Sequence, residues 1–217
     1  EGNELVHPSP VKDGLVLWYD FSGRTNGDAQ RDVAEDLSGN GNHGTLQNFN
    51  YTAESGYDKN KLLFDGVDDT LPIPIELNHS TFTLEMVAEL IEGKNGYLIW
   101  RHGSPDNIGV WKHSDSLLRF YLNGNEGFTP WIGLSDFELN TPIHLTLTLE
   151  LNVIRIYKNG VEVLFNDQQK IGAITGKIQH HFNTSRFHYS TKFYNKALNQ
   201  REIAHNYAIE KERFGIE

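Results

Sequence analysis

Short apolar runs separated by turn-forming residues recur about every ten residues along most of the chain, a spacing typical of sandwich strands. They lie at 14–21, 62–65, 71–75, 82–91, 97–101, 108–112, 117–122 and 143–149. Runs of this length, with period-two alternation in several of them, are typical of strands. The pattern predicts an all-β fold in which two antiparallel sheets stack as a sandwich. A sandwich can use 217 residues as one unit, so we expect a single domain over 12–217. Residues 1–11 are expected to be a linker or a fragment's cut edge.

Only the C-terminal end of the chain has a helical pattern. Asn199 can accept hydrogen bonds at a helix N-terminus, and Glu202 follows it three residues later, as in a capping box. Gly215 suits the left-handed conformation that ends many helices. The sequence therefore predicts one short helix near 200–211.

Charge and composition exclude several kinds of partner. The chain has 19 Lys and Arg against 29 Asp and Glu, a formal net charge of -10. Nucleic-acid and anionic-membrane surfaces need clustered basic residues, so neither partner is expected. The absence of cysteine excludes disulfides and thiolate chemistry. No apolar stretch is long enough for a membrane helix, and no membrane insertion is expected.

Motifs of catalysis are missing or out of context. The segment 39–44, Gly-Asn-Gly-Asn-His-Gly, fits a dinucleotide-binding loop, but it does not lie between a strand and a helix, as that fingerprint requires. Glu85, Glu89 and Glu92 come nearest to the paired carboxylates of a glycoside hydrolase. Apolar residues alternate with Glu85 and Glu89, which is typical of a strand with one solvated face. We therefore expect no enzymatic activity.

Five segments in order resemble a known family: Leu-Val-Leu-Trp-Tyr-Asp-Phe at 15–21, Asp-Leu-Ser-Gly-Asn-Gly-Asn-His-Gly-Thr-Leu at 36–46, Phe-Asp-Gly-Val-Asp-Asp at 64–69, Ile-Tyr-Lys-Asn-Gly at 156–160, and Tyr-Asn-Lys-Ala-Leu-Asn-Gln-Arg-Glu-Ile at 194–203. Together they resemble the concanavalin A-like, laminin G-type jelly roll. The resemblance implies two stacked antiparallel sheets and the binding of glycan or protein without catalysis. The ending resembles copies found in tailed-phage structural proteins, which implies a virion-surface or extracellular location.

The Gly- and Asn-rich segment 36–44 has two interpretations. It can close on itself through side-chain bonds to its own backbone, or it can turn its oxygens inward around Ca²⁺. Asp20 follows the first strand, Asp36 opens the segment, and Asp69 ends the Phe-Asp-Gly landmark. The jelly-roll resemblance brings these segments together, so Asp20, Asp36 and Asp69 are the candidate ligands of a structural calcium ion.

The candidate ligand surface comes from a hairpin that joins 108–113 to 117–122. Pairing His113 with Leu117 places Trp111 opposite Arg119. One face of the hairpin then carries Trp111, His113, Arg119 and Tyr121, and the other face is apolar enough to fill a core. Aromatic rings suit the apolar face of a pyranose, and Arg or His can bond its hydroxyls.

Three further residues extend this candidate surface, and two alternatives oppose it. Trp100 and Arg101 lie on the preceding strand, and Trp131 follows a Gly-rich loop. In the first alternative, Trp111 and Arg119 form a cation–π pair that binds no ligand. In the second, a one-residue slip turns Trp111 inward and Lys112 outward.

These observations favour a non-catalytic recognition or decoration module that binds cell-surface polysaccharide, as part of a phage virion and without an obligatory cofactor. One alternative is a structural virion module that contacts other virion proteins and binds no glycan. A glycoside hydrolase is the third hypothesis. An exposed apolar patch would favour the structural module, and a groove with aromatic and polar side chains would favour glycan binding.

Overall fold

The computed structural model describes residues 8–100, 108–124, 127–128, 132–166, 174–180 and 186–217. Strands make up 49% of the model and one helix lies at the C-terminal end, which confirms the predicted fold class. In chain order the elements are β1 (Leu15–Asp20), β2 (Val33–Ala34), β3 (Gly44–Thr45), β4 (Gly56–Asp58), β5 (Lys61–Phe64), β6 (Leu71–His79), β7 (Thr81–Leu90), β8 (Gly96–Trp100), β9 (Ile108–Ser114), β10 (Leu117–Gly124), β11 (Gly127–Phe128), β12 (Ile132–Leu134), β13 (Pro142–Glu150), β14 (Val153–Lys158), β15 (Val161–Asn166), β16 (Ile174–His180), β17 (Arg186–Tyr194) and α1 (Gln200–Phe214).

Two antiparallel sheets form the sandwich within the described residues. The eight-stranded sheet has the order β15-β14-β13-β7-β17-β5-β4, and β1 also pairs with β17. The seven-stranded sheet has the order β11-β10-β9-β8-β16-β6, and β12 also pairs with β10. The short strands β2 and β3 form a separate ribbon.

The core lies between the two sheets and follows the alternation of the strands. Leu84, Met86 and Ala88 of β7 belong to one cluster of buried residues with Val110 of β9 and Phe120 of β10. The two sheets therefore pack through the apolar faces that the period-two pattern predicts.

The central strands of the eight-stranded sheet are buried on both faces. Consecutive residues 82–88 of β7 and 143–149 of β13 are all buried. The second face is covered by α1, since Asn206 of α1 donates a hydrogen bond of 2.7 Å to Glu85. Ile203 of α1 also packs with Tyr157 and Tyr194 of the same sheet.

The helix begins at the predicted residue and continues three residues past the predicted 211, to Phe214, where Gly215 ends it. The Asn199 side chain accepts from the Arg201 and Glu202 backbone N–H groups, and the Glu202 side chain accepts from the Asn199 N–H, which completes the capping box. Gly215 has a φ of 66°, in the left-handed region, and its N–H bonds to the Lys211 carbonyl. Among the described residues, no helix is long and apolar enough to cross a membrane.

Part of the predicted N-terminal linker contacts the helix. Pro10 is buried, and the backbone N–H of Val11 donates a hydrogen bond of 2.9 Å to the Asn206 side chain. His205 Nε2 lies 3.0 Å from the Ser9 carbonyl oxygen. Residues 9–11 are therefore fixed against α1.

Candidate functional site

Three side chains form a row across neighbouring strands on the outer face of the seven-stranded sheet. Tyr97 of β8 pairs with Trp111 of β9, which pairs with Arg119 of β10. The Tyr97 and Trp111 rings are stacked with their centroids 5.6 Å apart, and the Arg119 guanidinium carbon lies 5.7 Å from the Trp111 centroid. We call Tyr97, Trp111 and Arg119 the aromatic row. Each of its side chains is partly exposed.

The register of the hairpin explains why this row faces outward. Trp111 is paired with Arg119, as predicted, and the neighbouring Val110 and Phe120 are buried in the core. The predicted pairing of His113 with Leu117 is wrong, because Leu117 pairs with Ser114 and the register shifts before Leu118. This irregularity lies at the turn, so the faces of the strands are unaffected.

Lys112 shows that the one-residue slip does not occur. Its side chain is fully buried, on the opposite face from Trp111. The Lys112 ammonium bonds to the Lys94 carbonyl at 2.8 Å and to Asp115 at 2.5 Å. A buried lysine needs such partners to offset its desolvation.

The other predicted ligand residues differ in what the structure describes. His113 lies beside the aromatic row, with its ring centroid 4.7 Å from that of Trp111. Tyr121 is on the same face, opposite Gly109 of β9. The backbone of Trp100 pairs with Gly109, whereas Arg101 and Trp131 lie outside the described residues.

The sequence analysis missed Tyr97, which completes the row. Tyr97 is the second residue of β8 and lies directly opposite Trp111. The apolar run at 97–101 was a signal for this strand, but its pairing with β9 is shifted by an irregularity between Tyr97 and Ile99. The sequence does not reveal that shift, and without it the residue opposite Trp111 cannot be assigned.

The carboxylate of Asp36 closes the predicted loop by hydrogen bonds. Its Oδ1 accepts from the backbone N–H groups of Trp18 and Ser38, each at 2.9 Å. Its Oδ2 accepts from the Ser38 hydroxyl at 2.8 Å and the Asn42 N–H at 2.9 Å. Burial opposes ionisation, but these donors outweigh it and hold the pKa of Asp36 below its ordinary value. Four donors fill the usual acceptor positions of one carboxylate.

The three predicted calcium ligands have separate sets of partners. Asp20 forms an ion pair with Arg213 of α1, whereas Asp36 binds its own loop. Asp69 is fully buried and accepts from the Ser55 hydroxyl at 3.0 Å. Burial raises the pKa of Asp69 to about 6, and its carboxylate lies within 4.8 Å of those of Asp65 and Asp68.

A calcium ion shared by Asp20, Asp36 and Asp69 stays a prediction. If this site exists, added Ca²⁺ should raise the melting temperature of the purified chain, because a ligand that binds the folded state stabilises that state. A chelator should then reverse the rise. Differential scanning calorimetry measures both changes. An unchanged melting temperature under both treatments would contradict the prediction. The segment 36–44 would then be closed by the Asp36 hydrogen bonds without a metal ion.

Two of the carboxylates considered for catalysis, Glu85 and Glu89, lie on β7 of the other sheet, and Glu92 lies in the turn that follows β7. The expected solvation of Glu85 is wrong. Glu85 points away from the core, as its alternation predicts, but α1 covers it and its exposed fraction is 0%. His144 Nε2 lies 2.5 Å from a Glu85 oxygen. Glu89 bonds instead to Lys61 at 3.1 Å and to the Tyr189 hydroxyl at 2.8 Å.

A buried network continues from Glu85 to the helix. Lys192 of β17 lies opposite Glu85 and forms an ion pair with Glu210 of α1, and all three side chains are at most 1% exposed. Burial alone would lower the pKa of Lys192, but Glu210 and Glu85 outweigh it and raise that pKa. Burial alone would raise the pKa of Glu85, but Lys192 and His144 hold it below its ordinary value. This network fastens α1 to the sheet.

Comparisons with known proteins identify the architecture. No family model matches the chain, and no characterised protein sequence matches it. The binding domain of Paraclostridial Mosquitocidal Protein 1 is similar in structure, with a TM-score of 0.68, 16% identity and coverage of 90% of this chain. The botulinum neurotoxin serotype D ligand binding domain in complex with N-acetylneuraminic acid has a TM-score of 0.69 and 10% identity, and the match covers 91% of this chain. Trypanosoma rangeli sialidase in complex with sialic acid has a TM-score of 0.67 and 17% identity, and the match covers 94% of this chain.

Each similar structure is longer than this chain. The matched part is 52% and 51% of the two toxin domains and 34% of the sialidase. Identities this low establish the architecture alone, since one fold serves many functions. The chain therefore shares a β-sandwich fold with part of these proteins.

Proposed function

We propose that the chain is a non-catalytic recognition module that binds cell-surface carbohydrate through the outer face of the seven-stranded sheet. The aromatic row carries this proposal. Tyr97, Trp111 and Arg119 place two stacked rings and a guanidinium side by side on a partly exposed surface. Binding sites combine apolar area with a few fixed polar groups in this way.

The packing of the row favours binding at low entropic cost. Trp111 has a neighbour on each adjacent strand, so its ring is held in one orientation. Side chains that are already ordered lose little freedom when a ligand arrives. Beside this partly exposed ring, Arg119 and His113 supply hydrogen-bond donors for hydroxyl groups.

Two kinds of similarity support the proposal. Two of the similar solved structures are complexes with sialic acid or N-acetylneuraminic acid, so the fold occurs in proteins that bind sugars. The resemblance of 194–215 to copies in tailed-phage structural proteins supports a virion surface as the location. Cell-surface polysaccharide of the host is then the partner.

The proposal predicts that Trp111→Ala weakens polysaccharide binding by about tenfold or more, the effect expected of a central aromatic contact. Binding is measured by pull-down on cell-wall polysaccharide and by calorimetry with fragments of it. Circular dichroism first confirms that the variant is folded. Tyr121→Ala gives a smaller loss, because Tyr121 lies beside the row.

Phe165→Ala is the matched control for this experiment. Phe165 is an exposed ring on the other sheet, and the Arg155 guanidinium lies 5.0 Å from its centroid. The control therefore removes the same kind of aromatic–arginine pair away from the row and should keep full binding. Full binding by both Trp111→Ala and Tyr121→Ala would contradict the proposed site.

One observation favours the alternative of a structural module without glycan binding. Val161, Val163 and Phe165 of β15 are 64%, 36% and 49% exposed, at the edge of the eight-stranded sheet. Exposed apolar side chains close together are typical of protein-contact surfaces. A folded wild-type chain that binds no polysaccharide in the experiment above would favour this alternative.

A further inference from the structure

We infer that the recognised sugar carries a carboxylate and that Arg119 is the residue that binds it. This inference rests on the proposed function and adds the chemical class of the ligand. It is carried by the state of the Arg119 guanidinium and by the charges around it.

Arg119 differs from the arginines that hold the fold together. Arg24, Arg155 and Arg213 each pair with a carboxylate of the chain. Arg31 lies over the Tyr51 ring, as Arg119 does over Trp111, but it also donates a hydrogen bond of 2.7 Å to the Asn26 carbonyl. Within the described parts of the chain, Arg119 has no carboxylate partner, and its contact is the face of Trp111. Its charge is thus held in place by an aromatic ring that leaves the guanidinium N–H donors to other acceptors.

Asp115, the one carboxylate in the described hairpin residues 108–124, is bonded to groups other than Arg119. Asp115 accepts from the Lys112 ammonium at 2.5 Å and from the Gly93 backbone N–H at 2.9 Å. These bonds hold the pKa of Asp115 below its ordinary value, so it stays ionised and paired with Lys112. Among the residues that the structure describes, no carboxylate therefore forms an ion pair with Arg119.

This charge arrangement selects one class of ligand. The planar guanidinium matches the two oxygens of a carboxylate and binds them more strongly than it binds a neutral hydroxyl. Partial burial beside Trp111 lowers the local dielectric constant and strengthens that pair. A phosphate-rich polymer needs many clustered cations, whereas one arginine suits one carboxylate on an otherwise neutral sugar chain.

The test compares oligosaccharides that differ in one group. One arm uses an oligosaccharide with a single hexuronic acid and its carboxyl-reduced counterpart. A second arm uses an oligosaccharide ending in N-acetylneuraminic acid and its carboxyl-reduced counterpart. Calorimetry measures the Kd values for the wild type, Arg119→Gln, Arg119→Lys and the control Arg201→Gln, which removes an exposed arginine from α1 on the other sheet.

We expect the wild type to bind the acidic member of at least one pair about tenfold more tightly, the difference that one charge-assisted bond produces. Arg119→Gln should abolish this preference while keeping the weaker binding of the neutral member. Arg119→Lys should keep part of the preference, because it keeps the charge and loses the planar fork. Arg201→Gln should behave as the wild type.

Each of the following outcomes would overturn the inference, and binding to the polysaccharide shows whether the proposed function fails with it. Equal binding of the acidic and neutral members, with Trp111→Ala weakening both, would refute the carboxylate and leave carbohydrate recognition intact. The same refutation follows if Arg201→Gln removes the preference as fully as Arg119→Gln. A folded wild type that binds cell-wall polysaccharide but neither acidic member would refute this inference alone. A folded wild type that binds neither the polysaccharide nor any of the oligosaccharides would refute the proposed function and this inference together.

Discussion

Replacing Lys192 with methionine should destabilise the folded chain by about 3–5 kcal/mol, the cost of removing one partner from a buried ion pair. Methionine fills a similar volume, so the lost charge causes the effect. Without the ammonium, Glu85 and Glu210 remain as two buried carboxylates at most 1% exposed. Urea unfolding at neutral pH measures the change.

The matched control is Lys94→Met, which removes an exposed lysine from a turn. Its free energy of unfolding should stay within about 0.5 kcal/mol of the wild type, as for most surface substitutions. The double variant Lys192→Met with Glu210→Met should recover part of the loss, since it removes along with the ammonium a buried carboxylate whose remaining ion-pair partner is the partly exposed Arg213. A wild-type midpoint for Lys192→Met alone would contradict the energetic importance of the network.

Replacing Asp36 with alanine should cost about 3 kcal/mol. Hydrogen bonds to a charged group contribute about 1.5–3 kcal/mol each, and the loss stays below their sum because the exposed parts of the loop can relax and admit water. The substitution leaves the Trp18, Ser38 and Asn42 N–H groups without their acceptor. It therefore weakens the attachment of the segment 36–44 to β1, although the Ser38, Asn40 and Asn42 side chains still donate to the Leu15 and Val16 carbonyls. Hydrogen exchange at the Trp18 and Asn42 amides should speed up before global unfolding begins.

Asp32→Ala provides the comparison, because Asp32 is an exposed carboxylate in the same region. Its amide exchange and unfolding midpoint should match the wild type. If Asp36→Ala also left both unchanged, protein groups other than Asp36 would have to close the loop.

The features that the sequence predicted correctly depend on neighbouring residues. The capping box of α1 joins Asn199 to Glu202, and Gly215 ends the helix, so a short window contains all the information. The outward orientation of Trp111 follows from parity within β9, because an apolar residue precedes it and the partner strand alternates in the same way. One irregularity at the turn changed the pairing of His113 and left that parity intact.

The features that the sequence could not give depend on distant segments. The alternation around Glu85 correctly predicts that it points away from the core, but its burial depends on Asn206 and Glu210, more than a hundred residues later. In the same way, Asp20 pairs with Arg213 from the far end of the chain. A local sequence pattern contains no information about an interaction partner so far away in the chain. Glu85, which was expected to be solvated, and Asp20, which was predicted to bind a metal, are thus both members of ion pairs in the structure.

The position of β17 has a consequence for how the chain reaches its fold. This strand, Arg186–Tyr194, lies between β7 on one side and β5 and β1 on the other. A growing chain that has not yet reached residue 186 leaves the hydrogen-bonding edges of all three strands without this partner. Contacts between segments so far apart in sequence also slow folding, because a long loop must close before they form. The eight-stranded sheet can therefore close only after residues 186–194 have been synthesised, and until then its unpaired edges can be recognised by chaperones or by other unfinished chains.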